Sequence, residues 1–326
     1  MSTELLNLYV HAKRVEADGV VSLDLRAPGG AGLPPFTAGA HIDIHVPQPD
    51  PGGRPLIRQY SLCNDPAERH RYVIGVGRAP QSAGGSLYLH DVLPEGATVQ
   101  VGAPRNLFAL DETAGRTVLI AGGIGITPLL AMARRLSALG RDWTLYYCVR
   151  EPRRAAFLAE ALALPGRVVP IFDGVPGVAP IDLKAIAAAA GPDTHLYCCG
   201  PTSLMRAFEQ ALAARRPQTV HVEWFSPPEP GARPQAADGA FEVRLARSGR
   251  TFTIPPGKTI LDVLLDAGVD APYGCCGGVC GACEVGVVEG SPVHLDSIFM
   301  GQEAEVSDRM MICVSRCKGD SITLDL

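Results

Sequence analysis

The sequence predicts a multidomain chain: an antiparallel β-barrel or sandwich, then an α/β doubly wound parallel sheet, then a small module built around a cysteine loop. Three observations predict it. Residues 5 to 102 read as short β-rich runs separated by turns, residues 117 to 225 alternate strand and helix, and six of the ten cysteines fall from Cys275 onward. A length of 326 residues leaves room for two or three domains at roughly 150 residues each. The changes of texture divide the chain into 1–110, 111–226, a linker at 227–239, and 240–326.

Strand candidates in the first segment are Asn7–Arg14, Val20–Arg26, Ala40–Val46, Ile57–Leu62, Tyr72–Val76 and Thr98–Gly102. Several alternate apolar and polar residues, and Pro28-Gly29-Gly30 and Pro51-Gly52-Gly53 supply turns. In the second segment Thr117–Gly122, Thr144–Val149, Arg167–Phe172, His195–Cys199 and Thr219–Phe225 read as strands. Pro128–Leu139, Arg154–Ala163, Asp182–Ala190 and Ser203–Arg215 read as the helices between them. Such alternation builds a parallel sheet with its ligand crevice at the carboxyl ends of the strands. Ser226–Gly239, with four prolines and no aromatic residue, reads as the linker. Beyond it, Phe241–Ala246 and Thr251–Ile254 suggest a hairpin, Thr259–Ala267 a short helix and Ser321–Leu326 a last strand.

Hydrophobic residues at 47% and charged residues at 19% exclude a disordered chain. A net charge of −5 offers no basic footprint for nucleic acid. From residue 240 onward, 12 acidic residues face 7 basic ones, so the last module carries all of the net negative charge. The most apolar stretch, Val118–Met132, is broken by Gly122, Gly123, Gly125 and Pro128 and is too short to cross a membrane. Met1–Val10 has no basic leader followed by an apolar run, so a cytoplasmic chain is expected. In that compartment clustered cysteines point to metal or redox chemistry before disulfides.

Cys275, Cys280 and Cys283 are spaced C-x4-C-x2-C, with Cys313 following 29 residues after them. This is the plant-type spacing for a [2Fe–2S] cluster held by four thiolates. Gly274, Gly277, Gly278 and Gly281 supply the backbone freedom needed for N–H groups to turn toward the sulfides. A zinc site would show two C-x2-C-type pairs, whereas only Cys280/Cys283 forms one. Choosing Cys276 as first ligand would give C-x3-C, so Cys276 and Cys317 are assigned no ligand role.

Two further markers lie at carboxyl ends of the parallel strands. Gly122-Gly123-Ile124-Gly125-Ile126-Thr127-Pro128 joins the first strand to the first helix, where helix N–H groups attract a pyrophosphate. Cys198-Cys199-Gly200-Pro201 ends the fourth strand, although Cys199 taken alone fits a small buried hydrophobe better than a ligand contact. In the first segment, alternation puts Arg58, Tyr60 and Leu62 on one face of a strand and Ser61 on the other. Arginine, aromatic ring and hydroxyl make a flavin set, but spacing alone fits a surface ion pair beside a half-buried tyrosine better. Gly84-Gly85-Ser86 reads as a phosphate cradle or as a plain loop.

Taken together, RQYSLCNDP (58–66), AGGSL (83–87), AGGIGITPLL (121–130), YCCGP (197–201), CCGGVCGAC (275–283) and MICVSR (311–316) occur in this order along the chain. In these motifs the chain resembles the phthalate dioxygenase reductase family, which includes the vanillate demethylase reductases, over essentially its whole length. That resemblance implies an FMN-binding barrel (1–110), an NAD-binding α/β domain (111–226) and a [2Fe–2S] ferredoxin domain of β-grasp fold (240–326). It implies that Arg58 and Gly84, Gly85 and Ser86 meet the FMN phosphate, that Tyr60 and Leu62 adjoin the flavin and that Ser61 bonds near N5. It sets Gly122, Gly123, Gly125 and Thr127 on the dinucleotide, Cys199, Gly200 and Pro201 at the nicotinamide, and Phe225 over the isoalloxazine. Ser61 and Cys199 are the catalytic candidates. The sequence departs from the family pattern at Cys276 and at the extra Cys317.

The activity so implied is that of an NADH-dependent oxygenase reductase. Hydride passes from NADH to FMN, and single electrons go on to the cluster and to a Rieske-type oxygenase of aromatic catabolism. A same-build reductase serving another acceptor, such as a cytochrome, is the alternative. The Arg153-Arg154 pair after the second parallel strand could admit a 2′-phosphate, against the family expectation of NADH. A monomer acting without membrane or nucleic acid is expected.

Overall fold

Alternation in the N-terminal runs becomes a barrel because one face of each strand is apolar. The computed structural model describes residues 5–47, 56–79, 84–226, 239–300 and 305–326. The Pro51–Gly53 turn, Ala83 and the linker stretch 227–238 lie outside the described residues. Strands β1 (Leu5–Ala17), β2 (Val20–Arg26), β3 (His41–Val46), β4 (Leu56–Ser61), β5 (Tyr72–Gly77) and β6 (Thr98–Gly102) form one antiparallel sheet in the order β4-β3-β6-β1-β2-β5. Leu62, just past β4, bridges Ile74 of β5, which brings the two edge strands together. Leu8, Val10, Leu23, Leu25, Ile42, Ile44, Leu62 and Ile74 fill the interior. All six strands occur where the pattern predicted them. Gly84 opens a short helix α1 (Gly85–Leu87), which runs into a wider helical turn, Tyr88–Val92.

The strand–helix alternation after residue 115 gives β7 (Arg116–Gly122), α2 (Ile126–Ala138), β8 (Asp142–Val149), α3 (Leu158–Leu162), β9 (Arg167–Phe172), α4 (Leu183–Ala189), β10 (Thr194–Cys199), α5 (Thr202–Leu212) and β11 (Val220–Glu223). The sheet is parallel throughout, in the order β11-β10-β7-β8-β9. From β7 the chain winds outward through β8 and β9, then returns to β10 on the other side of β7. The switch point therefore lies between β7 and β10, where a doubly wound sheet opens its ligand crevice. The predicted Arg154–Ala163 helix is shorter, because residues 152–154 form a separate 3-10 turn and Phe157 takes a left-handed φ of 59°. The predicted Thr219–Phe225 strand also ends early, at Glu223.

Contact between residues divides the chain into two units, 1–225 and 226–326; both sheets above belong to the first. In the second, β12 (Phe241–Leu245), β13 (Thr251–Ile254), α6 (Ile260–Asp266), β14 (Glu284–Glu289), β15 (Pro292–Val293), β16 (Arg309–Met311), β17 (Arg316–Cys317) and β18 (Ser321–Leu324) follow one another. The mixed sheet runs β13-β12-β18-β14-β16, with β15 and β17 paired separately. Thr259 caps α6 in a reciprocal box with Asp262, and Ile260, Leu261 and Leu264 bury against the sheet strands. The hairpin, the helix and the last strand were legible; β15 to β17, of two or three residues each, and β14, with Gly286 inside it, were not.

Candidate functional site

Residues from both sheets of the first unit meet at the carboxyl edge of the parallel sheet. Ser61, at the end of β4, is buried, and its Oγ donates to Oε2 of Glu223 at 3.3 Å. Glu223 ends β11 and is in register with Cys199 at the end of β10. Burial pushes the Glu223 carboxyl up to about 8, only partly offset by the Ser61 hydrogen bond, so at neutral pH it retains its proton. Cys199 is fully buried, and desolvation raises its thiol well above the ordinary range, with Glu223 and Cys198 adding to the effect. It is therefore a neutral thiol, not a thiolate nucleophile.

Sequence reasoning missed Glu223. Its signal was a single acidic residue in the apolar run Val220–Phe225, at the carboxyl end of a strand that faces the crevice.

The glycines of the two crevice loops divide by role. A Cβ on Gly125 would lie 2.2 Å from the carbonyl oxygen of Cys199, and one on Gly122 would lie 2.5 Å from Pro201 Cδ. One on Gly200 would lie 3.0 Å from the Gly122 Cα. These three let the β7–α2 and β10–α5 loops interlock. Gly123 has φ +52° and open space where a Cβ would stand, so it is the glycine of the turn that faces outward. Thr127 is buried; its Oγ1 donates to the Ile124 carbonyl at 3.0 Å, and its methyl packs on Gly75 of the barrel. Pro201 precedes α5 and is exposed, as is Phe225 just beyond β11.

On the barrel, Arg58 and the Gly84–Ser86 turn come together. A Cβ on Gly85 would lie 2.8 Å from Arg58 Cγ, so the arginine stem lies against the glycine. Gly84 takes φ +106° at the start of α1, and Ser86 Oγ accepts from the Ala79 N–H. The Arg58 guanidinium donates to the Ile57 carbonyl at 2.8 Å. The ion pair that spacing favoured for Arg58 does not occur among the described residues. Tyr60 packs against the barrel core, where burial raises its phenol to about 12. Leu62 is fully inside that core, with its N–H bonded to the Ala40 carbonyl.

A separate cavity of about 270 Å³ is lined by Arg14, Glu16, Asp24, Arg71, Arg134 and Glu160, among others. Arg71 pairs with Asp24, and Arg134 with Glu160. None of the predicted site residues lines it.

In the second unit the four cysteines stand as two neighbouring pairs, the thiol of Cys275 by that of Cys280 and the thiol of Cys283 by that of Cys313. The Cys280 side chain and the N–H groups of Val279, Gly277 and Cys280 pull Cys275 down to about 5. The neighbouring Cys275 thiol and burial push Cys280 up. Gly277 N–H points at Cys275 Sγ at 3.3 Å, and Cys275 N–H at Cys280 Sγ at 3.4 Å. No three His, Cys, Asp or Glu side chains among the described residues are grouped to hold one metal ion. Two thiol pairs with inward N–H groups fit a two-iron cluster, one pair per iron, better than a single tetrahedral ion. Cys276 is exposed, with a left-handed φ of 53°, whereas Cys317 is buried and donates to the Ser321 carbonyl. Neither is one of the four inferred ligands.

Residues 243–318 match the 2Fe-2S iron-sulfur cluster binding domain family. Over 98% of its length the chain is 49% identical to 97% of the phenoxybenzoate dioxygenase subunit beta of Ectopseudomonas oleovorans. It is 40% identical, over 98% of its length, to 97% of the phthalate dioxygenase reductase of Burkholderia cepacia. The chain belongs to the phthalate dioxygenase reductase family. A solved phthalate dioxygenase reductase, described as a modular structure for electron transfer from pyridine nucleotides to [2Fe–2S], superposes with a TM-score of 0.71. It shares 39% identity over 99% of this chain and 98% of that one. This reductase is accordingly an oxidoreductase carrying electrons to a [2Fe–2S] centre. No helix among its described residues is long and apolar enough to cross a membrane.

Proposed function

We propose that the chain is the reductase component of a two-component Rieske-type aromatic oxygenase, taking electrons from NADH through FMN to its [2Fe–2S] cluster. The observation that carries the reading is the hydrogen bond from Ser61 of the barrel to Glu223, in register with Cys199, at the carboxyl edge of the parallel sheet beside its switch point. A ring held by the barrel and a nicotinamide held by the sheet need such a shared edge.

Bound FMN supplies the chemistry that converts a two-electron hydride donor into a source of single electrons. The chain's own groups do the placing. Arg58 and the Gly84–Ser86 turn would hold the phosphate, Tyr60 would stand beside the ring with Leu62 buried in the core behind it, and Phe225 would cover it. Gly123 leaves the β7–α2 turn open to the pyrophosphate, while Gly122, Gly125 and Thr127 fix the turn's shape. Gly200 and Pro201 would set the floor beneath the nicotinamide, with the buried, neutral Cys199 thiol as an apolar, polarisable layer under it. Glu223 retains a proton next to Ser61 Oγ, at the edge where the flavin ring and the nicotinamide would meet.

Arg153 is paired with Glu151 and Asp18, which supports NADH over NADPH. The acidic surplus of the last module supports docking to a basic patch on the oxygenase. The reductase acts as a cytoplasmic monomer in this reading.

The test is a visible spectrum of purified protein with mass analysis of the released flavin, then turnover with a Rieske oxygenase across a salt series. FMN, iron–sulfur bands and a rate that falls with ionic strength are expected. FAD, absence of the cluster bands, or equal transfer to a cytochrome and to the oxygenase would overturn it.

A further inference from the structure

Asp296 is the most deeply buried carboxylate among the described residues, at 0% exposure. A buried carboxylate is costly unless donors surround it. Here the N–H groups of Ile298 and Phe299 reach Oδ1 at 3.0 and 2.6 Å, and Ser315 Oγ donates to Oδ2 at 3.0 Å. The remaining neighbour is His294, also buried. Its Nε2 faces the Val306 carbonyl at 2.7 Å and so carries the ring proton. Its Nδ1 has no hydrogen-bond partner and stands 3.8 Å from Asp296 Oδ2. That separation is too long for a hydrogen bond, so the carboxylate is held by three neutral donors with no cation bonded to it.

This charge lies between the two segments that carry the cluster thiols. A Cβ on Gly278, inside the C-x4-C loop, would lie 3.0 Å from both Cα and Cβ of Asp296 and 2.7 Å from Val314, next to Cys313. Ser297 donates to the Gly278 carbonyl through its N–H at 2.9 Å and its Oγ at 3.1 Å. Ser315, two residues after Cys313, holds Asp296 from the other side and accepts from the Leu295 N–H. The 294–299 segment thus ties the three-cysteine loop to the Cys313 segment.

From this geometry we infer that Asp296 is a positioning and tuning residue of the [2Fe–2S] centre: it fixes both ligand segments in one frame, and its buried charge lowers the cluster's reduction potential. The inference rests on the [2Fe–2S] reading of the four cysteines. The physical basis is that reduction adds a negative charge to the cluster, and a fixed negative charge in a poorly polarisable interior opposes it.

The experiment is a redox titration of the holoprotein at pH 8, followed by the visible and EPR spectra of the cluster, for wild type, Asp296→Asn and Ser315→Ala. The wild-type spectrum by itself checks the cluster reading, independently of the inference. Asp296→Asn keeps the shape and the Oδ1 acceptor but removes the charge. It should make reduction at least tenfold more favourable, an upward shift of about 59 mV for a one-electron couple. Ser315→Ala removes a donor from the carboxylate and leaves its charge less compensated, so its potential should fall. An unchanged or lower potential in Asp296→Asn with the cluster intact overturns the inference. Should Asp296→Asn fail to take up iron, Ser315→Ala decides: a fall supports the inference, and no change or a rise overturns it.

Discussion

Ser61 Oγ and Glu223 Oε2 are 3.3 Å apart, although 162 positions separate them in sequence and they belong to different sheets. The bond ties the end of a barrel strand to the end of a parallel strand. Because burial holds the Glu223 carboxyl protonated up to about pH 8, the pair stores a proton at that edge.

Glu223→Gln is the first test. The folded-state value lies above the unfolded one of 4.5, so the folded chain holds a proton that the unfolded chain has lost between about pH 4.5 and 8. Stability contributed by this site therefore falls as pH rises through that window. Glu223→Gln removes the dependence: its stability relative to wild type should increase with pH, by at most ~1.4 kcal/mol per pH unit. Chemical denaturation at pH 5 and pH 8 checks the sign, and a constant difference would contradict it.

Gly125→Ala and Gly123→Ala separate shape from access. The first drives a Cβ into the Cys199 carbonyl, and a backbone clash of that kind should cost about 2 kcal/mol or more, read as a lowered midpoint of unfolding. The second meets no atom but strains a left-handed φ, at about 1 kcal/mol. Its expected signature is a raised KM for NADH with a nearly normal melting temperature.

Cys313→Ser should remove the cluster, seen as lost iron and lost visible bands. NADH-driven reduction of a two-electron dye should stay within about threefold, since the residues proposed to hold flavin and nicotinamide belong to the first unit. Loss of both activities would show that the two units do not work independently.

The Arg153–Glu151 pair makes a cofactor prediction. With Arg153 engaged by two carboxylates, kcat/KM should favour NADH over NADPH by at least about tenfold, the worth of one good polar contact. Glu151→Gln should narrow the ratio by freeing the arginine for a 2′-phosphate. Measuring both cofactors on both proteins checks it, and a wild-type preference for NADPH would refute the assignment.

The sequence by itself determined the barrel strands, the five parallel strands and the iron–sulfur module marked by its cysteine loop. Each rests on a local signal: period-two alternation, apolar runs between helices, and thiol spacing along one loop. It could not show that Gly122, Gly125 and Gly200 serve to interlock two loops, since a glycine's neighbours are set by the close approach of strands β7 and β10. Nor could it single out Glu223 or Asp296. An acidic residue reads as solvated until the fold removes water from around it, and only the tertiary structure shows that Glu223 meets the Ser61 hydroxyl while Asp296 meets three donors.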